Sequence, residues 1–358
     1  MRLRLVLMGD GESPHLLKWA RALQPRVDLF VLSSRGFAPE LAALLPASHR
    51  MALSTQPRFE GGNLGLLRQL PAVVRWLRAV QPHWLAPHYL TSHGTLAWLA
   101  VRLGGVRAQI AGSAWGSDIL VTPERSALMK WLTRRVLKAC MLCTSDSQHM
   151  AQRMQALGAG EVMSFPFGLE LLPEVPSHKD EALFFANRGL EPIYAPLRVL
   201  EVFASLAREW PEAQLVVAND GSLRAELQAR AAQPDLAGRV RFVGRLPAHE
   251  QARRYAQARW YLSLPQSDSV SVSVLEAMGH GAIPILSDLP ANRELVRDGD
   301  NGLILAASEA PTRERLAPLA HRADAVSASL RQWVGEHALF PQAVEAYVQR
   351  LQALSPAA

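Results

Sequence analysis

The segment from Leu264 to Leu286 combines residue types and spacings that could do chemistry. Its pattern predicts a strand, a polar turn, a helix of about ten residues, then Gly279 and Gly281 before a second strand. Such a turn presents backbone N–H groups and the positive end of a helix dipole, which together favour an anion such as a diphosphate. Further hydroxyl donors come from Ser269, Ser271 and Ser273.

Two carboxylates belong to this segment. Asp268 stays in the turn, whereas Glu276 follows eight residues later and lies about one turn inside the helix, so the two do not share a helix face. Carboxylates accept hydrogen bonds from vicinal hydroxyls, which suits recognition of a sugar or a ribose. A simpler interpretation stays open, in which the serines cap an ordinary helix and Asp268 is a turn residue.

Around this segment, short apolar runs alternate with longer amphipathic stretches, which is typical of βα units and predicts an α/β fold with parallel sheets. Predicted strands in the first half are Leu3–Met8, Leu29–Ser33, Trp84–Pro87, Gln109–Ser113, Ala139–Thr144 and Val162–Pro166. Those in the second half are Ala182–Ala186, Gln214–Ala218, Val240–Val243, Trp260–Leu264, Ile283–Leu286 and Gly302–Leu305. Predicted helices include Leu16–Leu23, Leu64–Val80, Thr95–Leu103, Ser147–Leu157, Pro196–Glu209, Arg224–Gln233 and Pro341–Leu354.

The chain of 358 residues is long enough for two domains. The alternation breaks around Leu171–His178, which contains two prolines. We therefore predict a first domain over 1–170, a linker over 171–179, a second domain over 180–337 and a C-terminal helix within 338–358 that could pack back on the first domain. Ligands of such sheets bind at the carboxyl ends of the strands, so we expect the two sheets to face a central cleft.

Charge is distributed unevenly along the chain. Residues 1–170 hold 19 Lys and Arg against 10 Asp and Glu, a net charge of +9, whereas residues 171–358 hold 19 against 22, a net charge of −3. The basic half favours an anionic partner, either a lipid-linked phosphate or a transient contact with an anionic membrane surface. No nucleic-acid-binding module accompanies the charge, so no nucleic-acid partner is expected.

Two basic stretches, Leu64–Val80 and Leu128–Leu137, could be core helices with a solvated basic face or helices that dock on a membrane. No apolar run approaches the ~20 residues of a membrane-spanning helix. The run Leu3–Met8 is too short for a signal-peptide core, which predicts a cytoplasmic protein, peripheral at most on the inner face of the membrane. Cys140 and Cys143 have no second metal-ligand pair and are interpreted as small buried hydrophobes.

Residues 242–303 resemble the donor-site signature of family-4 retaining glycosyltransferases, which have the GT-B fold of two Rossmann-like domains. The resemblance rests on an acid, seven intervening residues and Glu, here Asp268 and Glu276, followed by Ala-Met and a glycine-containing run before Pro284. It extends, motif by motif, to Ser287–Leu303, Phe242–Leu246, and the acceptor-domain motifs at Pro87–Leu90 and Ala114–Asp118.

This resemblance implies site roles. Glu276 would hold the ribose hydroxyls, Asp268 the hydroxyls of the transferred sugar, and Arg188 the diphosphate, where its charge would stabilise the leaving group. Arg188 as a solvated loop cation is the alternative. The predicted donor-binding residues are Arg188, Leu246, Asp268, Ser269, Val270, Ser271 and Glu276, and the predicted catalytic residues are Asp268, Arg188 and Asp118.

The sequence departs from the family pattern at three positions. Tyr194 stands where the family usually has Lys, Asp268 where it has Glu, and Trp115 where a His contacts the transferred sugar. His88 could replace that His or be structural. With Trp115 and His88, Gly11 and His15 complete the predicted acceptor-side set, although helix capping by Ser13 explains the last two equally well.

The resemblance implies a hexosyltransferase that moves a sugar with retention from a UDP- or GDP-sugar to a glycan or lipid-linked acceptor, in assembly of a surface polysaccharide. No cofactor or metal is expected, because turn chemistry explains the Asp298-Gly-Asp300 sequence. Two alternatives remain open: a sugar-nucleotide epimerase of the same fold, and a non-catalytic partner subunit.

Overall fold

The computed structural model describes residues 2–55, 64–174 and 178–355. The chain forms two compact units, the first comprising Met1–Phe165 and Phe340–Ala358 and the second Pro166–Leu339. The sequence placed the corresponding boundaries at 170 and 338, and residues 175–177 of the predicted linker lie outside the described residues.

A parallel sheet organises the first unit. Within the described part of this unit the sheet has seven strands, in the order β3-β2-β1-β4-β5-β6-β7. The strands are β1 (Arg4–Gly9), β2 (Asp28–Ser33), β3 (Arg50–Ala52), β4 (Trp84–Pro87), β5 (Gln109–Ser113), β6 (Leu142–Ser145) and β7 (Glu161–Ser164). Their buried apolar residues form the core with the helices on both faces, as expected of an α/β layer architecture.

A second parallel sheet organises the other unit. The described residues there form six strands, in the order β10-β9-β8-β11-β12-β13. The strands are β8 (Asp180–Ala186), β9 (Gln214–Ala218), β10 (Val240–Gly244), β11 (Ala258–Ser263), β12 (Ile283–Ser287) and β13 (Leu303–Leu305). The α/β prediction with two parallel sheets is confirmed.

Helices connect the strands. Those before residue 165 are α1 (Pro14–Leu23), α2 (Pro39–Leu44), α3 (Leu64–Arg68), α4 (Leu70–Val80), α5 (Thr95–Arg102), α6 (Ser117–Leu120), α7 (Ala127–Ala139) and α8 (Gln148–Ala156). Those after it are α9 (Pro196–Glu209), α10 (Arg224–Ala231), α11 (Ala248–Gln257), α12 (Val272–Gly279), α13 (Pro290–Leu295), α14 (Arg313–Ala320), α15 (Ala323–His337) and α16 (Phe340–Leu354). A π-helix spans Tyr89–Gly94, and 3₁₀ turns span Ala47–His49, Thr122–Glu124 and Pro192–Tyr194.

Several strand ends differ from the prediction by a few residues, and three larger differences have a physical reason. β3 was not predicted, because its three residues give no alternating pattern. β6 begins at Leu142 rather than Ala139, because α7 continues through Ala139. The predicted helix Leu64–Val80 is divided at Gln69, where α4 begins with a proline in its first turn.

The strand order reverses at one point in each sheet. β1 pairs with both β2 and β4, and β8 pairs with both β9 and β11. The connections that leave such a pair of strands diverge and open a crevice at their carboxyl ends, the usual ligand position in α/β sheets. The residues after β1 and β4, and those after β8 and β11, are therefore the ones that the fold places best for binding.

The C-terminal helix α16 packs against α1 in the first unit. Trp19 of α1 is buried, and its ring centroid lies 5.0 Å from that of Phe340 and 5.5 Å from that of Tyr347. Arg350 adds two hydrogen bonds of 2.6 and 2.5 Å to Glu161, the first residue of β7. No helix in the described ranges is both long enough and apolar enough to cross a membrane.

Both cysteines are free and buried in the first unit, Cys140 between α7 and β6 and Cys143 within β6. Cys140 donates its S–H to the carbonyl of Val136 at 3.3 Å. Their interpretation as small buried hydrophobes is confirmed.

Two histidines are buried where β4 ends. His88 follows the strand directly and His93 lies in the π-helix. Burial, reinforced by the neighbouring rings of His93 and His15, lowers the pKa of His88 to about 3. Burial also lowers the pKa of His93 to about 4, against a smaller opposing effect of the His88 backbone. Both rings are therefore neutral at pH 7.

The first prediction concerns stability in acid. The unfolded chain protonates both histidines below about pH 6.5, while the folded chain keeps them neutral down to about pH 4, so their contribution to stability is lost as pH falls through this window. Asp118, whose pKa burial raises to about 6, contributes in the opposite direction. The thermal midpoint should therefore fall from pH 7 to pH 5 in the wild type.

The matched variant is His88→Leu, which removes one of the two titrating rings and should flatten this slope. The carboxylates elsewhere contribute equally to both proteins, so the difference in slope isolates His88. Equal slopes for wild type and His88→Leu in scanning calorimetry would show that His88 does not titrate as described.

Candidate functional site

A buried cation marks the crevice between β8 and β11. Arg188 lies two residues after β8, and its Nη2 donates to Oδ2 of Asp268, in the loop after β11, at 2.6 Å. Its Nη1 donates to the hydroxyls of Ser271 and Ser273, the latter at 3.2 Å. The ring of Tyr194 covers the guanidinium, with Cζ 4.4 Å from the ring centroid. Arg188 is therefore not a solvated loop cation, since only 18% of its side chain is exposed.

Arg188 and Asp268 each favour the charged form of the other. Burial opposes the charge on Arg188, but Asp268 and the surrounding tyrosines together raise the pKa of Arg188 above its ordinary value. Burial raises the pKa of Asp268, and the guanidinium and the Ser269 amide offset only part of that rise. A charged guanidinium held in a low-dielectric crevice favours an anionic ligand more strongly than an exposed one does.

The serine-rich turn serves this cation rather than the helix that follows it. Ser271 occupies the N-cap position of α12, yet its hydroxyl makes no capping hydrogen bond. It instead contacts Arg188 and lies 2.8 Å from the Ser273 hydroxyl. The amide of Ser269 donates to Oδ1 of Asp268 at 3.0 Å. Because the hydroxyls and the carboxylate converge on one guanidinium, the turn differs from a simple helix cap.

Glu276, one turn inside α12, is the centre of a second group of contacts. Its Oε2 accepts hydrogen bonds from the Tyr255 hydroxyl at 2.9 Å and from the Gln251 amide at 3.3 Å, both on α11. The Tyr255 hydroxyl accepts from the amide of Asn187 at 2.7 Å, and the Tyr261 hydroxyl donates to the Asn187 oxygen at 2.7 Å. Glu276 is thus connected through Tyr255 to Asn187, the residue directly before Arg188. Glu276 remains partly exposed.

The sequence did not assign roles to Tyr255, Tyr261, Asn187 or Gln251. The only signal for Tyr255 was its position on the apolar side of an amphipathic helix, where its ring is fully buried. A buried phenol needs a hydrogen-bond partner, and the nearby carboxylate supplies one. Asn187 adjoins the predicted Arg188, but spacing alone could not pair it with two tyrosines.

Two predicted donor residues lie apart from this group of side chains. Val270 has a buried side chain in the core of the second unit, so only its backbone can reach a ligand. Leu246 follows β10, which β9 separates from β8, and it packs against the same core.

In the first unit, four aromatic residues meet at the carboxyl ends of β1, β4 and β5. The ring centroid of Trp115 lies 4.9 Å from that of His15, 5.5 Å from that of His88 and 5.9 Å from that of Tyr89. Neither ring nitrogen of His88 has a hydrogen-bond partner among the described residues. The structure thus brings three predicted acceptor-side residues together on a largely aromatic surface.

Asp118 fixes the loops that carry these rings. Its Oδ2 accepts from the Leu90 amide at 2.8 Å and its Oδ1 from the Trp115 amide at 2.9 Å. The carboxylate is 2% exposed; burial raises its pKa to about 6, although the amides of Trp115 and Leu90 act in the opposite direction. Since both oxygens bind backbone amides, Asp118 joins the loop after β4 to the loop after β5.

The turn after β1 is closely packed. The Gly11 amide donates to the Ser33 hydroxyl at 2.8 Å, and a Cβ at Gly11 would lie 2.5 Å from the carbonyl oxygen of Gly36, so a side chain does not fit. Ser13 caps α1 by accepting from the His15 amide at 3.2 Å, with Pro14 at the first helical position. The capping interpretation is confirmed, while the His15 ring lies against Trp115.

Metal-ligand chemistry has little support at Asp298 and Asp300. Asp298 accepts from the Ile304 amide at 2.9 Å and pairs with Arg315 at 3.0 Å. Gly299 between them has a φ of 75°, as a tight turn requires. Across residues 2–55, 64–174 and 178–355, no three His, Cys, Asp or Glu side chains are grouped as metal ligands would be.

Two family models match the chain. The model described as "Glycosyl transferase 4-like" matches residues 4–147, and the model described as "Glycosyl transferases group 1" matches residues 170–315. The first range contains the aromatic surface around Trp115, and the second contains Arg188, Asp268 and Glu276.

Curated relatives carry related names. The chain is 27% identical over 168 residues to the phosphatidyl-myo-inositol mannosyltransferase of Mycolicibacterium smegmatis, covering 44% of this chain and 42% of that protein. It is 29% identical over 126 residues to the GDP-mannose:cellobiosyl-diphosphopolyprenol alpha-mannosyltransferase of Xanthomonas oryzae, covering 33% and 30%. The matched segment spans about two fifths of the length of the first of these relatives.

Solved structures share this fold along nearly the whole length of the chain. Anabaena HepE, solved in complex with UDP and glucose, superposes with a TM-score of 0.77 at 16% identity over 98% of this chain and 100% of that one. Sucrose-phosphate synthase from Thermosynechococcus elongatus superposes with a TM-score of 0.79 at 14% identity over the same shares. These likenesses show the GT-B fold. The two family models, which match residues 4–147 and 170–315, show that the chain belongs to the family-4 type (group 1) of glycosyltransferases.

Proposed function

We propose that this protein transfers a hexose from a nucleotide-sugar donor, a UDP- or GDP-sugar, to a glycan or lipid-linked acceptor with retention of configuration. The observation that carries the proposal is the buried guanidinium of Arg188, held by Asp268 and Ser271 at the switch point of the second sheet. A fixed cation at this position suits the diphosphate of such a donor.

Glu276 would bind the nucleoside. Its Oε2 accepts from Tyr255 and Gln251, which hold the carboxylate in place, and a carboxylate so held can accept from the vicinal hydroxyls of a ribose. The network through Tyr255 and Asn187 holds the carboxylate in place relative to Arg188. This network would keep the ribose and the diphosphate of the donor at a fixed separation, which is the main requirement for positioning the sugar.

Catalysis would depend on stabilising the leaving group. As the bond from the sugar to the diphosphate breaks, negative charge grows on the phosphate oxygens, and Arg188 is already aligned to receive it. Asp268 accepts a 2.6 Å hydrogen bond from Arg188, and this ion pair argues against the use of Asp268 as a nucleophile. Asp268 would instead orient Arg188 and accept from hydroxyls of the transferred sugar.

The first unit would supply the acceptor-side residues. The rings of His15 and Trp115 form an aromatic surface of the kind that packs against sugar rings, and the buried His88 ring packs beside Trp115 and supports it. Because Asp118 binds two backbone amides, we assign it a positioning role in place of the catalytic role predicted from the sequence. Gly11 would shape the turn after β1 on the acceptor side, since the Gly36 carbonyl occupies the space that a side chain there would need.

Relatives support the substrate classes. The names of the matched mannosyltransferases include a phosphatidylinositol and a diphosphopolyprenol acceptor, and the HepE structures include UDP and UDP-glucose. A lipid-linked acceptor in the assembly of a surface polysaccharide is consistent with both. We propose that Arg188 supplies the positive charge on the diphosphate and that catalysis proceeds without a metal ion.

Product analysis tests the function. Purified protein incubated with UDP-glucose or GDP-mannose and a polyprenyl-diphosphate-linked sugar should release nucleoside diphosphate and yield an acceptor heavier by one hexose, with and without EDTA. Mass spectrometry of the acceptor measures the transfer. An altered sugar nucleotide formed without acceptor would indicate an epimerase, and activity lost to EDTA but restored by metal would contradict the metal-independent proposal.

A second prediction concerns Arg188 and Tyr194. Arg188→Ala should lower kcat on the order of a hundredfold, since it removes the charge on the leaving group. Tyr194→Ala should lower kcat several-fold, on the order of the cation–π contribution. Tyr194→Phe is the matched control: it keeps the ring over Arg188 and should behave as wild type in steady-state kinetics.

The two tyrosine variants separate two roles of Tyr194. If kcat falls as far in Tyr194→Phe as in Tyr194→Ala, the hydroxyl rather than the ring is required. Tyr194 would then contact the diphosphate directly. Full activity of Arg188→Ala would refute the assignment of the diphosphate site.

A further inference from the structure

One face of α7 combines exposed apolar and basic side chains. Leu128 is 69% exposed and Trp131 48%, although large apolar side chains on helices of globular proteins normally face the core. The basic residues on the same exposed face are Lys130, Arg134, Arg135 and Lys138. Successive positions at 100° per residue place all six within one arc of the helix, with Trp131 near its middle.

The opposite face of α7 is fully used inside the first unit. Thr133, Val136 and Leu137 are buried, and α7 packs against the π-helix Tyr89–Gly94 and the turn Thr122–Glu124. A Cβ on Gly94 would lie 2.9 Å from Val136. The exposed face is therefore not needed to hold the helix in place.

The basic residues of this face form no ion pair with any residue that the structure describes. The sequence of α7 contains no acid, and no carboxylate among the described residues forms an ion pair with the four cations. Arg135 lies over the Trp131 ring, with Cζ 5.5 Å from the centroid, so the cation and the apolar anchor form one surface. An apolar strip surrounded by unneutralised positive charge is complementary to the interface of an anionic bilayer.

α4 provides the internal comparison. It is also basic and amphipathic, but its large apolar residues Val73 and Leu77 are buried and its exposed face carries Arg75 and Arg78 without an apolar anchor. Of the two basic stretches singled out in the sequence, the first is a core helix with a solvated basic face. Only α7 presents the two components that an interfacial helix requires.

The position of α7 places its exposed face near the acceptor-side residues. β5 and β6 are parallel, and α7 lies on the connection between them, so it starts near the carboxyl edge of the sheet and runs back toward the amino edge. Leu128 and Trp131 belong to its first half and lie toward the same edge as His15 and Trp115. A surface seated on α7 would therefore lie near the acceptor-side residues.

We propose that the exposed face of α7, formed by Leu128, Lys130, Trp131, Arg134, Arg135 and Lys138, docks the protein on an anionic lipid bilayer. The apolar side chains enter the headgroup region and the basic side chains bind lipid phosphates. Docking is independent of nucleotide and acceptor, so it can be measured without substrate and can fail while the proposed transfer stands.

Co-sedimentation of the full chain with vesicles tests the proposal. The wild type should sediment with vesicles of phosphatidylcholine and phosphatidylglycerol, stay in solution with phosphatidylcholine alone, and detach as salt is raised. Arg134→Gln/Arg135→Gln should weaken binding about thirtyfold, and Leu128→Ser/Trp131→Ser on the order of tenfold or more.

Arg68→Gln/Arg75→Gln is the matched control, because it removes the same charge from exposed positions on α3 and α4, where no exposed apolar anchor accompanies it. It should bind within about twofold of the wild type. All substitutions are at exposed positions, and equal thermal midpoints exclude unfolding as a cause.

Three outcomes would overturn the proposal. The first is a wild type that stays in solution with anionic vesicles. The second is an equal loss of vesicle binding in Arg134→Gln/Arg135→Gln and in Arg68→Gln/Arg75→Gln, which would show that binding depends only on net charge. The third is a wild-type dimer in sedimentation velocity that Leu128→Ser/Trp131→Ser dissociates, which would assign the face to a second copy of the chain.

Discussion

The crevice between β8 and β11 depends on one largely buried charge, that of Arg188. Removing a guanidinium from water is costly unless anionic and hydrogen-bonding partners replace the solvent, and Arg188 finds them on three different segments. Asp268 comes from the loop after β11, Ser271 from the start of α12, and the Tyr194 ring from the turn before α9. Because all three converge on the guanidinium, its burial fixes the shape of the crevice at the switch point.

The same crevice explains why Glu276 is held by other side chains. A carboxylate one turn inside α12 would be free to rotate, but Tyr255 and Gln251 restrain one of its oxygens. Tyr255 and Asn187 then relate the carboxylate to the end of β8. Two groups with different proposed ligands, a diphosphate and a ribose, are thereby kept at a fixed separation by the protein itself.

In the first unit, a buried group of the opposite charge holds two loops together. There a buried carboxylate, Asp118, ties two loops by accepting from backbone amides, and the side chains on those loops are aromatic. Trp115 replaces a histidine of the family pattern, and it gathers His15, His88 and Tyr89 around its ring. The acceptor side is consequently held by packing and backbone hydrogen bonds, and the donor side by an ion pair.

Much of the fold follows from apolar runs bounded by turn residues. The strands Trp84–Pro87, Gln109–Ser113 and Gln214–Ala218 begin and end where the pattern predicts them. β3 could not be predicted, since three residues carry no periodicity, and the π-helix Tyr89–Gly94 has no sequence signature of its own.

Part of the site could also be predicted from the sequence. Asp268, Ser271, Glu276 and Arg188 were identified by motif, and the structure brings them to one crevice. The pairing of Arg188 with Asp268 joins residues 80 positions apart, and spacing cannot predict such a contact. Spacing likewise could not show that the Ser271 hydroxyl would turn from the helix toward the guanidinium, which depends on where the two loops meet.

The central claim is that Arg188 and Glu276 together hold a nucleotide-sugar. The most direct measurement is a crystal structure of the protein grown with the donor that supports transfer. The account predicts electron density with the diphosphate within hydrogen-bonding distance of the Arg188 guanidinium and the ribose hydroxyls on the Glu276 carboxylate. A nucleotide bound elsewhere, making no contact with the Arg188 guanidinium or the Glu276 carboxylate, would contradict it.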